Sequence, residues 1–135
     1  MKLFITKITV LLLLTVSLNA CAQSTKTEDG SKVISLISSE ELSAKLGDIQ
    51  LVDVRTPKEY TSGHLRNAIN IDYYDSNFAV DMAKLDKNKT LYIYCRSGGR
   101  SGSAAKKLKD MGFTKVYDLK GGIIKWNKAK LEIIK

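Results

Sequence analysis

From Val33 to Lys135 the chain alternates short, mostly apolar runs with stretches in which apolar residues recur at helical spacing, and no internal repeat is present. The runs are Val33–Ile37, Leu51–Val54, Ala68–Ile71, Leu91–Tyr94 and Val116–Leu119. Each is too short for a stable helix and long enough for a buried strand. Between them, Ser38 or Ser39 caps a helix, with Glu41 three residues after Ser38 as a capping box requires. Phe78, Met82 and Leu85 give helical spacing over Asn77–Leu85, and further helices are expected over Ser101–Met111 and Ile123–Lys130. Strands separated by helices indicate an α/β domain, a central parallel sheet with helices on both faces.

In such sheets the ligand sits beyond the carboxyl ends of the strands. The segment Cys95-Arg96-Ser97-Gly98-Gly99-Arg100-Ser101 lies just there, after the fourth strand and before a helix. Two adjacent glycines let the backbone curl so that successive N–H groups face one concavity, and the helix adds its positive end to the same spot. Such a nest binds an anion and stabilises a thiolate. A free thiol titrates near about 8.5, and a helix N-terminus with neighbouring arginines lowers that to about 3.5 to 7.5. Arg96 and Arg100 are expected to supply mobile positive charge at the rim. A strand-ending cysteine is often only a small buried hydrophobe. That reading leaves the paired arginines and the Gly-Gly unexplained, so Cys95 is read as a reactive thiol.

Composition narrows the remaining classes. At 135 residues, 44% hydrophobic and 27% charged, the chain suits one small domain and excludes a disordered polyelectrolyte or a polytopic membrane protein. The net charge of +8 invites a nucleic-acid reading, but the lysines are scattered and no aromatic-plus-basic platform accompanies them. Nucleic acid is therefore not an expected partner. Two cysteines are too few for a disulfide framework.

The N-terminus reads as an export signal. Lys2 and Lys7 precede an apolar run, Ile8 to Val16, too short to span a bilayer with ease. It ends in Leu18-Asn19-Ala20-Cys21, which resembles the bacterial lipobox that directs lipid attachment to the cysteine. Ala20-Cys21-Ala22 also reads as an A-x-A site for ordinary signal cleavage, so two processing routes stand, both of which export the protein. The expected division is residues 1–20 as lipoprotein signal peptide, 21–32 as a flexible polar tether and 33–135 as the folded domain. The domain would then sit on the periplasmic side of a bacterial membrane, anchored through a lipid on Cys21.

Over nearly all of Val33 to Lys135 the chain resembles the rhodanese (sulfurtransferase) family. Leu51-Val52-Asp53-Val54-Arg55 with Glu59-Tyr60, Gly63-His64-Leu65 and Ala68-Ile69-Asn70-Ile71 is similar to the family's first signature. Tyr94 to Ser101 is similar to its active-site loop, and Val116 to Gly122 with Trp126 to its closing signature. The resemblance implies a rhodanese-like three-layer fold and transfer of sulfane sulfur through a Cys95 persulfide. The donor would be thiosulfate or a similar sulfur anion, and the acceptor a thiol or cyanide. No metal or organic cofactor is implied, and a monomer is expected. Arg96, Ser97, Gly98, Gly99 and Arg100 map onto the anion cradle. Asp53 and Arg55 match supporting positions, where Asp53 is expected to pair with a loop arginine. The Gly63-His64 pair and Gly121-Gly122 with Trp126 are expected to be structural. Arg96 followed by Ser97 leans toward thiosulfate, since a Gly-Ser pair after the cysteine resembles mercaptopyruvate users.

Three other functions are compatible with parts of this pattern. Related phosphatases and arsenate reductases close an arginine over a tetrahedral oxyanion, but their loop is one residue longer than Cys95–Arg100. A non-catalytic carrier or binding module usually shows a replaced cysteine, and Cys95 is retained. A redox role with Cys21 as partner would be removed by lipidation of that sulfur.

Overall fold

The structure, a computed structural model, describes residues 32–135. Residues 1–31, which hold the expected signal peptide, Cys21 and most of the expected tether, lie outside the described residues. The elements are β1 (Ile34–Ile37), α1 (Ser39–Ser43), β2 (Gln50–Asp53), α2 (Pro57–Thr61), β3 (Ile69–Asn70), α3 (Phe78–Met82), β4 (Leu91–Tyr94), α4 (Gly99–Asp110), β5 (Val116–Leu119) and α5 (Gly122–Lys128). The five strands form one sheet in the order β1-β5-β4-β2-β3, with every pairing parallel. This is the expected α/β architecture.

Strand alternation sends side chains to two cores. On one face Val52, Ile93, Cys95 and Val116 pack with Phe78 and Met82 of α3 and Ala104, Ala105 and Leu108 of α4. On the other, Leu51, Tyr92, Tyr94 and Leu119 pack with Leu42 of α1 and Ile123 and Trp126 of α5. Every residue of β4 is buried, as a strand covered on both faces must be. The connection from β2 leads outward to β3 and that from β4 leads the opposite way to β5. The carboxyl ends of β2 and β4 therefore flank the point where the winding reverses, where such sheets bind ligands.

Local chemistry explains the departures from the sequence reading. The helix α2 lies outside the expected elements, yet it carries a complete signature. The Thr56 side chain accepts from Glu59 N–H, the Glu59 carboxylate accepts from Thr56 N–H, and Pro57 opens the first turn. Five residues give too little periodicity to reveal it. The helix α3 stops at Met82 instead of Leu85 because Lys84 and Leu85 bond back to Asp81 and Met82, tightening the last turn. The helix α4 starts two residues early, since Gly98 at φ +113° turns the chain straight from the strand end into the helix.

Gly122 seats α5 against β4. It has φ +57°, and a Cβ there would lie 2.5 Å from the carbonyl oxygens of both Cys95 and Arg96. A Gly122→Ala chain is expected to lose at least about 2 kcal/mol of stability in urea unfolding, combining left-handed strain with displaced backbone. Gly99→Ala is the control, because its Cβ meets nothing within 4 Å. A Gly122→Ala midpoint equal to that of the control would show that the contact yields freely.

Candidate active site

Cys95 is the first residue after β4 and is 1% exposed. A thiolate buried this deeply needs donors. Gly98 N–H donates to Sγ at 3.1 Å and the Ser101 hydroxyl lies 3.4 Å away. Burial pushes the thiol upward, but the Ser101 hydroxyl and the N–H groups of Ser101, Gly98 and Ser97 outweigh it and hold the thiol below its ordinary value. Backbone N–H groups thus converge on the sulfur, and Gly99 and Arg100 belong to the first turn of the helix that follows.

Over the sulfur opens a cleft of about 410 Å³ lined by Tyr73, Tyr74, Arg96, Ser97, Arg100 and Ser103, together with Gly99. The two arginines differ. Arg96 and Ser97 are exposed at the rim. Arg100 is not the mobile charge expected from the sequence: its two guanidinium nitrogens donate at 2.7 Å each to the two oxygens of Glu59. Glu59 also accepts from the N–H and hydroxyl of Thr56, so one carboxylate both caps α2 and clamps the loop. The Arg100 contact holds its carboxyl down from 4.5 to about 2, against a smaller opposing effect of burial.

Asp53 does not pair with a loop arginine, contrary to expectation. Its carboxylate takes Arg55 Nη2 at 2.6 Å and Nε at 2.9 and 3.0 Å, and both residues are buried. Arg55 also donates to Gly63 O at 2.7 Å. This pair ties the end of β2 to the segment after α2, which positions Glu59. A sequence places Asp53 and Arg55 near each other, but whether a side chain reaches forward or folds back depends on the tertiary surroundings.

His64 stacks on Tyr60 with ring centroids 3.9 Å apart, and its backbone exchanges hydrogen bonds with Ile134 at 2.9 Å. It does not line the cleft. Trp126 is buried and donates to Glu132 O at 2.9 Å. Among the described residues no group of three or more His, Cys, Asp or Glu side chains gathers where a metal ion would sit. Glu59, Ser101, Tyr73 and Tyr74 were assigned no role from sequence. For Ser101 a signal existed, since it opens the helix directly after the glycines.

Because the Glu59 carboxyl is depressed in the folded state, its stabilising contribution is fully present above about 4.5 and is lost as pH falls toward about 2. Glu59→Gln is expected to lower stability at pH 7 by about 1 to 2 kcal/mol, a figure reduced for its partial exposure. Urea midpoints should separate wild type from Glu59→Gln at pH 7, draw together below about pH 4.5 and converge only as pH nears about 2. A gap unchanged across that range would remove the Arg100 charge as its cause.

Comparisons with known proteins agree with this geometry. The family model of the rhodanese-like domain matches residues 38–129. A sulfurtransferase of Allochromatium vinosum is 36% identical over 105 residues, covering 76% of this chain and 96% of that protein. The thiosulfate sulfurtransferase PspE of Escherichia coli is 39% identical over 70 residues, covering 52% of this chain and 67% of its own. Among solved structures, a rhodanese-like domain protein from Staphylococcus aureus shares the fold with a TM-score of 0.64 at 31% identity, covering 74% of this chain and 98% of that one. The sheet order, the strand-end cysteine in its cradle and these likenesses together make the chain a member of the rhodanese-like domain family, with sulfurtransferases among its relatives.

Proposed function

We propose that the protein is a monomeric sulfurtransferase that carries sulfane sulfur as a Cys95 persulfide, with thiosulfate as the preferred donor. The observation that carries this reading is Cys95 Sγ, held by Gly98 N–H at 3.1 Å at the floor of a cleft rimmed by Arg96. The Cys95 thiolate attacks the outer sulfur of thiosulfate. The Sγ–S bond forms, the sulfur–sulfur bond of thiosulfate breaks, and sulfite departs with the electron pair. One negative charge remains on the outer sulfur of the persulfide. A thiolate or cyanide then attacks that sulfur, takes it away as a persulfide or thiocyanate, and restores the Cys95 thiolate. No proton moves in either step, so no general base is required.

Both steps pass anions through the same small cleft. Backbone N–H groups suit this, because they stabilise negative charge without being able to react. Arg100 is already neutralised by Glu59, which leaves Arg96 to meet the sulfonate oxygens of a doubly charged donor. A charge-assisted contact of this kind contributes about 1.5 to 3 kcal/mol.

The chain incubated with thiosulfate should gain the mass of one sulfur on Cys95, lost again on adding cyanide, and should turn over thiosulfate faster than mercaptopyruvate. Cys95→Ser should stay folded and lose both the adduct and the turnover. Undiminished turnover in Cys95→Ser would rule out the mechanism, and an adduct without turnover would leave a sulfur carrier.

We further propose that the protein is exported and anchored by a lipid on Cys21, supported by Leu18-Asn19-Ala20-Cys21 after an apolar run. Expressed at full length in a bacterium, it should partition into detergent, and Cys21→Ala should abolish that partitioning. Recovery of a chain beginning at Gln23 would point instead to ordinary signal cleavage.

A further inference from the structure

One buried carboxyl near the thiol has no part in the chemistry above. Asp118, in the middle of β5, is 4% exposed, and its Oδ1 has no hydrogen-bond partner. Strand alternation turns it to the same face as Val116, beneath α4. Its Oδ2 comes within 3.8 Å of where a Cβ on Gly102 would stand, so the carboxyl packs against the first turn of that helix. Burial pushes its pKa up to about 6, and the Ser101 hydroxyl draws it partly back down. Ser101 is fully buried, and its Oγ lies 3.4 Å from Cys95 Sγ. Ser101, the neighbour of Gly102 in that turn, thus carries a hydroxyl that meets the thiol and also acts on the carboxyl.

Besides Asp118, the Arg100 charge also reaches the Cys95 sulfur, while Glu59 holds that guanidinium in place. In β1 no residue titrates, and in β4 Tyr92 and Tyr94 face the opposite core. On α4, Arg100 is tied to Glu59, Lys107 lies over the Tyr73 ring, and Lys106, Lys109 and Asp110 are exposed. Lys120, just beyond β5, is exposed as well.

We propose that Asp118 is a positioning residue whose carboxyl, acting through the single hydrogen of the Ser101 hydroxyl, sets how readily Cys95 ionises. A serine hydroxyl can donate to one acceptor at a time. When Asp118 is protonated, its O–H can donate to Ser101 Oγ, and the Ser101 hydrogen is free to meet the thiolate. When Asp118 is ionised, it competes for that hydrogen and adds a second negative charge beside the first, which disfavours the thiolate. Thiolate and carboxylate thus oppose each other, and the ionisation of Cys95 is spread over two coupled steps. The inference concerns the free thiol and stands whether or not sulfur is transferred.

The test is the rate of Cys95 alkylation by iodoacetamide between about pH 4 and 10, read on the Cys95 peptide of the full chain, since the rate follows the thiolate. Wild type should show a broadened rise. Asp118→Asn keeps a donor toward Ser101 without a charge, and should show a single ionisation with its midpoint lower by about 0.5 to 1 pH unit. In a Ser101→Ala background the same substitution should shift the midpoint by less than half as much. Superimposable wild-type and Asp118→Asn profiles, or a midpoint moved upward, would overturn the proposal, and an undiminished shift without the Ser101 hydroxyl would overturn the route through it. Should Asp118→Asn fail to fold, infrared titration of the carboxyl in the wild-type chain decides. Its midpoint should fall when Cys95→Ser removes the thiolate, and an unchanged midpoint refutes the coupling.

Discussion

The peptide groups after Cys95 point their N–H bonds at sulfur because their carbonyls are held on the other side. Ile123 N–H donates to Cys95 O at 3.0 Å and Ile124 N–H to Arg96 O at 3.1 Å, both from the first turn of α5. From the opposite end, Gly102 N–H donates to Gly98 O at 3.0 Å as α4 begins. The segment between is therefore clamped by two helix starts, each with N–H groups that need acceptors. Gly98 supplies the positive φ that the reversal demands, and Gly122 the absence of a side chain that lets α5 approach. The order β5-β4-β2 in turn puts this clamp where β2 delivers Glu59. Shape, electrostatics and reactivity at the sulfur all follow from that double clamp.

What was legible in the sequence was local. The buried strand β4 is an unbroken apolar run, the cap on α1 is a Ser-x-x-Glu box, and the cysteine lies beside the glycines that bend its own loop. Each of these signals is complete within a few residues. The Glu59–Arg100 clamp joins residues 41 apart in sequence and depends on β2 and β4 being neighbours, which no local pattern specifies. Asp118 is obscure for a related reason. A carboxyl in a short strand reads as an outward-facing polar residue, and only the coverage of both sheet faces makes it buried.

The pairing of Arg100 also recasts the charge of the site. Two arginines beside a cysteine suggest a doubly positive pocket, but Glu59 cancels one of them at 2.7 Å. Arg96 has no carboxylate within ion-pair distance among the described residues. The cleft thus offers fixed backbone dipoles and one adaptable cation. The fixed part fits the sulfur common to all donors, while the adaptable part meets the portion that differs between them. Arg100, held rigid, serves to shape the wall against which Tyr74 stands, with its guanidinium 5.7 Å from that ring.

Magnitudes show why a buried thiolate is tolerable here. Removing a charged group from water without partners costs several kcal/mol. Each charge-assisted hydrogen bond contributes about 1.5 to 3 kcal/mol, and the helix start adds about 0.3 to 1 kcal/mol. Four donors act on Cys95, the N–H groups of Ser97, Gly98 and Ser101 and the Ser101 hydroxyl, so hydrogen bonding prevails and the thiol is held below its ordinary value. Three of the four are backbone groups fixed by the double clamp and cannot turn away. The Ser101 hydroxyl alone can rotate, so it is the one donor in the rigid cradle that can turn toward or away from the sulfur.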